Sequence, residues 1–509
     1  MPSVFRRGRA ATVLCLSALL ALSACSAPVA KSARPDGLVV AETTAPSTLD
    51  PQGSSMFADR FAWQHSYECL YTTASDGRVE PALATKYRKS EDGRAYTFTL
   101  RRGVRFHNGD RLTADDVVSS FTRLQKSPDG IDKEVFPMLK GVEKIDDGTV
   151  RFTLSSPDAG FLNSMANPLV WGCAIMNQHA VDATNPAVTM VGTGPWKQTD
   201  YRANSKLQLE RNTDYWGTKA SAPSLSVLYI PNVATQVANL QIGKIDLMFP
   251  DAASADAVKG HEGLTLHKAE TDSTIFLQIN NLRKPLDNTL VRRAIALAID
   301  RRELADGAYH GSARPSGYIP SGPWAPKADE LPQHQLDVER AKELLRKAGY
   351  PRGFSTTLMY ISGYDPGTDN MMTLMQDQLA RVGIKAKLLP KEPAAWSAQL
   401  TGPDYDLSWN AQSYYPNPLQ YVLPAEGRQG ETPKTLRKLI TDARGADTQA
   451  AYHNKLVEIS RYEAEQVYPT LTLLASNMYV AHRDGLDHVV VPPSQSRAFL
   501  AGVTKEVKR

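Results

Sequence analysis

The sequence predicts an α/β fold, and three patterns support this prediction. Residues 354–361 (FSTTLMYI), the helical run from Met371 to Val382 and residues 384–389 (IKAKLL) read as strand, helix and strand. Such a βαβ unit implies some parallel sheet. Asp92-Gly93 and Asp147-Gly148 each separate two extended runs, which predicts two β-hairpins. Apolar residues at helical spacing behind polar caps predict the helices.

The segment after the first turn shows both periodicities. Apolar and polar residues alternate through Tyr96, Phe98 and Leu100, so one face of this strand is expected to be buried. Thr113, with Asp116 three residues later, resembles a helix capping box. One face of the helix that follows carries the apolar residues Val117, Val118, Phe121 and Leu124.

Two more helices are predicted in the second half of the chain. The first lies within Leu282 to Gly307, follows Asp287 and has one apolar face, formed by Val291, Ala294, Ile295, Ala298 and Ile299. The second spans Leu336 to Gly349, begins at Asp337 and ends at Gly349. Its inward residues are expected to be Ala341, Leu344 and Leu345.

The N-terminus has the pattern of a secretory signal peptide. Three arginines, Arg6, Arg7 and Arg9, precede an apolar run over residues 10–22, which is shorter than the ~20 residues of a membrane span. Leu22-Ser23-Ala24-Cys25 resembles a bacterial lipobox. We therefore expect residues 1–24 to be removed and Cys25 to carry acyl chains such as palmitate, although a plain signal peptide with a chance cysteine is the alternative. Residues 25–37 are expected to form a flexible tether.

Charge and cysteine content limit the possible partners. Loss of the three signal-peptide arginines from 58 basic residues leaves 55 against 54 acidic residues, so nothing indicates a nucleic-acid partner. Cys15 leaves with the signal peptide. Cys69 and Cys173 then remain, and a disulfide between them and two buried free thiols are equally compatible with the sequence.

The sequence lacks the residue patterns of common catalytic and metal sites. The histidines form no H-x-H or H-E-x-x-H pattern and no Cys/His cluster, and no G-x-S-x-G motif is present. Gly192-Thr193-Gly194 lacks the spacing and the lysine of a phosphate-binding loop. We therefore expect no enzyme activity, metal or cofactor, with an exported hydrolytic or signalling lipoprotein kept as an alternative of a different class.

Residues 79–124, with this order of turns and caps, resemble the extracytoplasmic solute-binding proteins of peptide-type ABC importers, family 5. Similar runs cover most of the mature chain: residues 48–51 (TLDP), 192–196 (GTGPW), 212–217 (NTDYWG), 243–247 (GKIDL), 285–301, 341–350 and 409–418. The resemblance implies a class II periplasmic-binding-protein-like fold with two lobes, a hinge and an accessory α+β domain.

The same resemblance implies the division of the chain. Lobe I would combine residues 36–75, 190–281 and 485–509. The accessory domain would be residues 76–189, and lobe II residues 282–484. The candidate hinges are Gly192-Thr193-Gly194 and Asn280-Asn281.

Family members close on a ligand between the lobes, and peptide binders hold an extended peptide by strand-like hydrogen bonds. The matching segments are residues 53–57 and 408–415, and Trp396 aligns with a cleft aromatic. The ligand-binding candidates are therefore Ser54, Ser55, Met56, Phe57, Asp369, Trp396, Trp409, Asn410, Ala411, Gln412, Ser413, Tyr414 and Tyr415.

The chain departs from its peptide-binding relatives at two places. An aspartate three residues after a tryptophan commonly receives the peptide ammonium, but Gln412 or Tyr414 takes that place here. Asp365 and Asp369 occur about where dipeptide binders place a basic residue for the peptide carboxylate. A free zwitterionic dipeptide is therefore disfavoured.

The function implied is that of a monomeric receptor, lipid-anchored on the extracytoplasmic face of the cell membrane. It would capture oligopeptides or modified peptides and deliver them to an ABC permease. The same receptor role for a non-peptide solute, such as an opine, a metal chelate like a nickel complex or an oligosaccharide, is the alternative.

Overall fold

The computed structural model describes residues 36–54, 56–74, 78–127, 135–167, 172–317, 328–331, 334–365, 367–400, 402–412, 417–419, 431–491 and 500–506. The predicted signal peptide, Cys25 and most of the predicted tether lie outside the described residues.

The first half of the chain alternates short helices with strands. Its strands are β1 (Leu38–Glu42), β2 (Tyr71–Thr73), β3 (Val79–Pro81), β4 (Ala84–Lys89), β5 (Ala95–Leu100), β6 (Leu139–Asp146), β7 (Thr149–Leu154), β8 (Trp196–Arg202), β9 (Lys206–Arg211), β10 (Ser224–Tyr229) and β11 (Leu247–Met248). Its helices are α1 (Phe57–Trp63), α2 (Ala114–Gln125), α3 (Phe161–Ser164), α4 (Gln178–Ala183), α5 (Val233–Gln241) and α6 (Ala252–Val258).

The second half contains the two longest strands. Its strands are β12 (Leu264–Ile279), β13 (Ala313–Pro315), β14 (Ser355–Ile361), β15 (Lys385–Lys391), β16 (Leu407–Gln412), β17 (Thr470–Arg483), β18 (Leu486–Asp487) and β19 (Thr504–Lys505). Its helices are α7 (Thr289–Ala298), α8 (Arg301–Tyr309), α9 (Val338–Lys347), α10 (Thr368–Ala380), α11 (Pro393–Leu400), α12 (Lys434–Arg444) and α13 (Gln449–Gln466), with a 3₁₀ turn at Ala328–Glu330.

One large mixed sheet runs through the protein. Its strand order is β15-β14-β16-β12-β17-β11-β1-β10-β9-β8, with β13 added beside β17. Strand β14 is parallel to β15 and β16, as the predicted βαβ unit requires, whereas β12 is antiparallel to β16 and β17. A separate sheet has the order β4-β5-β7-β6.

Both predicted Asp-Gly hairpins are confirmed. The Asp92-Gly93 turn joins the antiparallel pair β4 and β5, and Gly93 has a φ of +67°, which glycine adopts with little strain. The Asp147-Gly148 turn joins β6 to β7. In β5 the side chains of Tyr96, Phe98 and Leu100 are buried, as their alternation predicted.

Two of the predicted helix caps are confirmed. The Thr113 amide donates to Asp116 Oδ2 at 2.9 Å, which confirms the capping box of α2, and Val117, Phe121 and Leu124 are buried. The side chain of Asp337 accepts from the Arg340 amide at 2.8 Å and caps α9.

The predicted helix within Leu282 to Gly307 was wrong in its bounds. The segment forms two helices, because Asp300 accepts from the Arg302 and Glu303 amides and starts α8 as a new cap. The preceding residue, Ile299, is extended. Asn288, rather than Asp287, caps α7 through the Leu290 amide.

The apolar residues form two main cores, which we call the first core and the second core. The first core is built from residues between Leu38 and Phe249 together with Met478, Val480 and residues near the C-terminus. The second core lies between Ile275 and Leu474. Strand β17 contributes to both, with Leu471, Leu473 and Leu474 in the second core and Met478 and Val480 in the first. Strand β12 contributes Ile275, Leu277 and Ile279 to the second core, while its other end packs Leu264 and Leu266 on a smaller cluster that includes Ala41 and Met248.

The chain crosses between the two cores inside β17, next to its pairing with β12. The predicted hinges at Gly192-Thr193-Gly194 and Asn280-Asn281 stay predictions, and both places are tightly packed. Asn280 is fully buried, and its side chain donates to the Pro403 and Tyr405 carbonyls at 2.8 Å, so it is fixed within the second body. Gly192 and Gly194 pack against the backbone of Ser66, where a Cβ on Gly192 would lie 1.9 Å from the Ser66 carbonyl oxygen. No pattern in the sequence indicated that the chain passes from one core to the other in the middle of a strand.

The β4-β5-β7-β6 sheet shares the first core, and a polar network around half-buried Glu68 reaches it through Arg101, the residue after β5. The carboxylate of Glu68 accepts from the Tyr215 and Thr193 hydroxyls at 2.7 Å and from the Trp216 indole at 2.9 Å. Burial raises the pKa of Glu68, and these donors oppose that shift. The Arg101 guanidinium lies 4.3 Å from the centre of a Trp216 ring. These contacts tie the two regions into one body.

Two further links cross the same boundary. Arg123 of α2 binds both carboxylate oxygens of Asp50 and donates to Gln52 Oε1 at 2.8 Å. Cys69 and Cys173 are bonded as a disulfide, with Cα atoms 5.3 Å apart across a sequence separation of 104 residues. The structure thus has the disulfide, one of the two arrangements that the sequence left open.

The β4-β5-β7-β6 sheet region also touches the second half of the chain. The Ala159 amide donates to the Arg444 carbonyl at 2.9 Å, and Lys89 Nζ donates to the Ala446 carbonyl at 3.0 Å. Asn417 Nδ2 lies 3.3 Å from Asp158 Oδ2. Burial raises the pKa of the Asp158 carboxyl, while the charge of Arg444 and hydrogen bonds from Gly160 and Asn417 lower it.

We predict that Asp158→Asn stabilises the protein at neutral pH. Because the pKa of Asp158 is higher in the folded than in the unfolded chain, the contribution of this carboxyl to the free energy of unfolding is greatest below the unfolded value of about 3.9. It then falls as the pH rises towards the folded value. The variant should flatten this slope and raise the urea midpoint of unfolding at pH 7 above that of the wild-type protein. Urea unfolding between pH 4 and 8 measures it.

The matched control is Asp92→Asn in the neighbouring exposed turn. Hydrogen bonds from the Ser90 hydroxyl and the Arg94 amide lower the pKa of Asp92, so this variant should lose a little stability at pH 7 and not gain it. A loss of stability on Asp158→Asn equal to that of the control would contradict the prediction.

Candidate functional site

A pocket of about 230 Å³ lies beside the paired strands β12 and β17, where β17 passes from one core to the other. Four segments line it: residues 271 and 273–275 of β12, residues 476–478 of β17, residues 411–412 of β16, and residues 364–365 between β14 and α10. Hydroxyl, amide and carboxylate groups face this space together with Ile275, Ala411, Met478 and the ring of Tyr364. The arrangement can bind a solute that has both apolar and hydrogen-bonding groups.

A bulge in β12 forms one wall of the pocket. Glu270 pairs with Asn477 and Thr274 with Ala475, so residues 271–273 stand opposite the single residue Ser476. The extra residues bend the strand and turn side chains out of the regular ladder. Sequence reasoning missed this wall. The sequence feature that could have indicated this bulge is the polar run Thr271 to Thr274, which interrupts the alternation of apolar residues in a long strand.

Arg314 of β13 holds the bulge against β17. Its Nη1 donates to the Ser476 carbonyl and to Asn477 Oδ1 at 3.0 Å, and its Nη2 donates to the Thr271 carbonyl at 3.1 Å. The Nε atom lies 3.4 Å from Glu270 Oε2. This guanidinium therefore positions two pocket walls at once, and no sequence motif pointed to it.

Strand β16 has one edge that is only partly paired. It pairs with β12 along its whole length, from Leu407 with Ile279 to Gln412 with Thr274. On its other side it pairs with β14 only at Leu407 and Ser408. Within the described part of the chain, the outer edge at residues 410–412 therefore carries backbone groups without a strand partner. This edge runs into the pocket through Ala411 and Gln412.

The two acids of the loop after β14 have different surroundings. Asp369 accepts from the Ser362 hydroxyl and the Gly363 amide, both at 2.8 Å, and these bonds lower its pKa. Asp365 lines the pocket. The structure therefore brings Asp365 to the pocket, whereas the predicted ligand residue Asp369 holds the shape of the loop.

The two predicted tryptophans lie on opposite faces of β16. Trp409 is 1% exposed, belongs to the second core and meets the Tyr364 ring edge-on at 4.8 Å between centroids. Trp409 is not part of the pocket lining, but it contacts the ring of Tyr364, which is. Trp396, on α11, donates from its indole to the Ser408 hydroxyl at 3.1 Å. Asn410 Nδ2 lies 3.4 Å from Gln278 Oε1, across the pair with β12.

The other predicted ligand residues lie outside the lining of this pocket or outside the described chain. Ser54 accepts from the Met56 amide at 2.9 Å just before α1, and Phe57 is the first residue of that helix. Met56 is 65% exposed. Ser55, Ser413, Tyr414 and Tyr415 are not among the described residues, so their roles stay predictions.

The described residues contain neither a metal-binding cluster nor a membrane-spanning helix. Among them, no group of three or more His, Cys, Asp or Glu side chains is placed to hold a metal ion. No helix in the same part of the chain has the length and apolar character needed to cross a bilayer.

A mixed sheet with two main cores, and a polar pocket beside the bulge of its longest strand, is the architecture expected of a two-lobed solute-binding protein. Comparison with known proteins supports this class. The family model described as bacterial extracellular solute-binding proteins, family 5 Middle, matches residues 78–431.

Relatives match over most of their length. The dipeptide-binding protein of Escherichia coli strain K12 is 28% identical over an alignment of 530 positions, gaps included, that covers 94% of this chain and 97% of that protein. The glutathione-binding protein of Salmonella choleraesuis is 30% identical over 379 residues, covering 72% and 71%. The solved structure of HbpA2 from Haemophilus parasuis is 26% identical, with a TM-score of 0.78 over 92% of this chain and 100% of that one.

The chain belongs to family 5 of the bacterial extracellular solute-binding proteins, which serve ABC importers. The prediction of a class II, two-lobed periplasmic-binding-protein-like fold is confirmed. These relatives are binding proteins and not enzymes, which supports a non-enzymatic role, and the extracellular family indicates export.

Proposed function

We propose that this protein captures oligopeptides or modified peptides between its two lobes and delivers them to an ABC permease. The observation that carries the proposal is the partly paired edge of β16 beside the pocket. An extended peptide can add to such an edge by main-chain hydrogen bonds, which give affinity without requiring particular side chains.

The names of two relatives agree with a peptide ligand. One is a dipeptide-binding protein, and the other binds glutathione, which is itself a modified tripeptide. The sequence departures at Gln412 and at Asp365 argue against a free zwitterionic dipeptide in the same pose. We therefore favour longer or modified peptides, held mainly through their backbone.

Capture also needs a second wall. We propose that residues 53–57, the predicted ligand segment of lobe I, supply it when the lobes close. The closing motion would bend β12 and β17 at the bulge near residues 271–273, where the two cores meet. Lobe I and the accessory domain would move as one body and lobe II as the other, with the boundaries expected from the sequence except that both crossings would lie at the bulge.

We predict that replacement of one backbone amide of a bound peptide by an ester weakens binding at some positions. An ester lacks the N–H donor, and one hydrogen bond contributes about 0.5–1.5 kcal/mol, so the dissociation constant should rise about two- to tenfold where that amide pairs with β16. Calorimetric titration of an ester series in one peptide measures the effect.

The control replaces Ala by Val at the same peptide positions and should change affinity less than the ester does. Affinities that depend on side chains but on no ester position would contradict backbone pairing. If native mass spectrometry of the purified protein shows one non-peptide mass in place of a peptide ladder, the opine, metal-chelate or oligosaccharide alternative replaces the proposal. Turnover of a peptide library would support the hydrolytic alternative.

We also propose that Cys25 is acylated and holds the protein on the extracytoplasmic face of the membrane. Acyl chains contribute roughly 0.8 kcal/mol per buried methylene, so a multiply acylated cysteine anchors a protein that has no membrane-spanning helix. The lipobox-like run from Leu22 to Cys25 supports this assignment.

Cys25→Ala should therefore move the protein from the membrane fraction to the soluble fraction and remove the acyl mass from its N-terminal peptide. Cys15→Ala, inside the predicted signal peptide, is the matched control and should leave both unchanged. Membrane association that survives Cys25→Ala would exclude this anchor.

A further inference from the structure

The pocket has an uneven charge distribution. Asp365 is the one acidic side chain in its described lining, and no Lys, Arg or His belongs to that lining. The rest of the wall is neutral: hydroxyls, amides, apolar side chains and the Tyr364 ring. A carboxylate in a cleft that closes around a ligand would lose part of its hydration, which is costly unless a cation approaches it.

The Asp365 carboxylate is fixed in position. Its Oδ1 accepts from the Gly367 and Thr368 amides, both at 2.8 Å, at the start of α10. Its Oδ2 has one long contact of 3.4 Å with the Tyr309 hydroxyl. Burial and the neighbouring Asp365 raise the pKa of Tyr309, so this phenol stays a neutral donor. An ionised carboxyl has about four acceptor sites, so Oδ2 keeps the capacity to bind a ligand.

The nearby guanidinium of Arg314 is already engaged. Its donors bind the Ser476 and Thr271 carbonyls and Asn477 Oδ1, and it is paired with Glu270. Tyr364, which is 55% exposed, adds an aromatic ring next to Asp365 in the lining. A fixed carboxylate beside an aromatic ring is a favourable site for an ammonium or guanidinium group.

We propose that Asp365 determines specificity by binding a cationic group, an ammonium or a guanidinium, of the captured ligand. This inference rests on the proposed peptide-binding function and names the charge that the ligand must carry. In a peptide the cation is either the terminal ammonium or a Lys or Arg side chain. The lining offers no matching cationic side chain among its described residues, so this end of the pocket selects against a carboxylate.

The competing explanation is that Asp365 only starts helix α10. An asparagine separates the two roles, because its amide oxygen still accepts the Gly367 and Thr368 amides while the charge is lost. Asp369→Asn is the matched control, since it removes a carboxylate from the same loop whose oxygens bind Ser362 and Gly363.

The test titrates three probes into the full-length protein and both variants by calorimetry. The probes are tetra-alanine amide, its N-acetylated form, and an N-acetylated tetrapeptide amide with one lysine. The wild-type protein should bind at least one amine-bearing probe tenfold or more tightly than the acetylated neutral probe. Asp365→Asn should remove this preference and leave the affinity for the neutral probe within about twofold, whereas Asp369→Asn should keep the preference.

The outcomes separate this inference from the function on which it rests. Equal binding of all three probes, unchanged by Asp365→Asn, contradicts the role of Asp365 but leaves peptide capture intact. Binding of none of the probes by the wild-type protein contradicts peptide capture, and the inference with it. If Asp365→Asn weakens all three probes equally and lowers the thermal midpoint, Asp365 is a structural cap and the inference is wrong.

Discussion

Strands β12 and β17 pair over most of their length, and both cores of the protein are built against this pair. One end of β17 packs in the first core and the other in the second core, whereas β12 packs in the second core and on a smaller cluster that includes Ala41 and Met248. The pairing breaks at residues 271–273, where three residues stand opposite one. The bulge is thus the point where the two bodies meet, and it also forms a wall of the pocket. Binding and the relation between the lobes depend on the same few residues.

The remaining contacts decide which parts can move as one body. The β4-β5-β7-β6 sheet region shares the first core and is joined to it by the Glu68 network, the Asp50–Arg123 pair and the Cys69–Cys173 disulfide. Its contacts to α12 and α13 are fewer and include the buried carboxyl of Asp158. Bending at the bulge would change this second contact, so the stability of the Asp158 region and the closure of the cleft are coupled in our proposal.

Local signals in the sequence predicted local structure well. The Asp-Gly turns, the Thr113–Asp116 box and the Asp337 cap each depend on residues a few positions apart, so the sequence contains the whole interaction. The resemblance to one family predicted the fold class. The hinge that we propose has no such local signal, because the pairing of β12 with β17 joins residues some 200 positions apart.

The site was predicted only in part for similar reasons. Residues 408–415 were expected at the ligand, and among the described ones Ala411 and Gln412 line the pocket. A central strand is covered on both faces, so its sequence does not tell which face is core, and Trp409 proves to be buried. Asp365 and Asp369 lie in one loop, and only the start of α10 at Thr368 decides which of them lines the pocket.

Closure about the β12–β17 bulge can be measured directly by distances between spin labels. One label replaces exposed Ile242, in the part of the chain that holds the first core. The other replaces exposed Leu336, in the part that holds the second core. A saturating peptide should shift this distance distribution, while a pair at Ile242 and Ile145, within the first body, should not change. An unchanged Ile242–Leu336 distance in the presence of a tightly bound peptide would contradict capture by lobe closure.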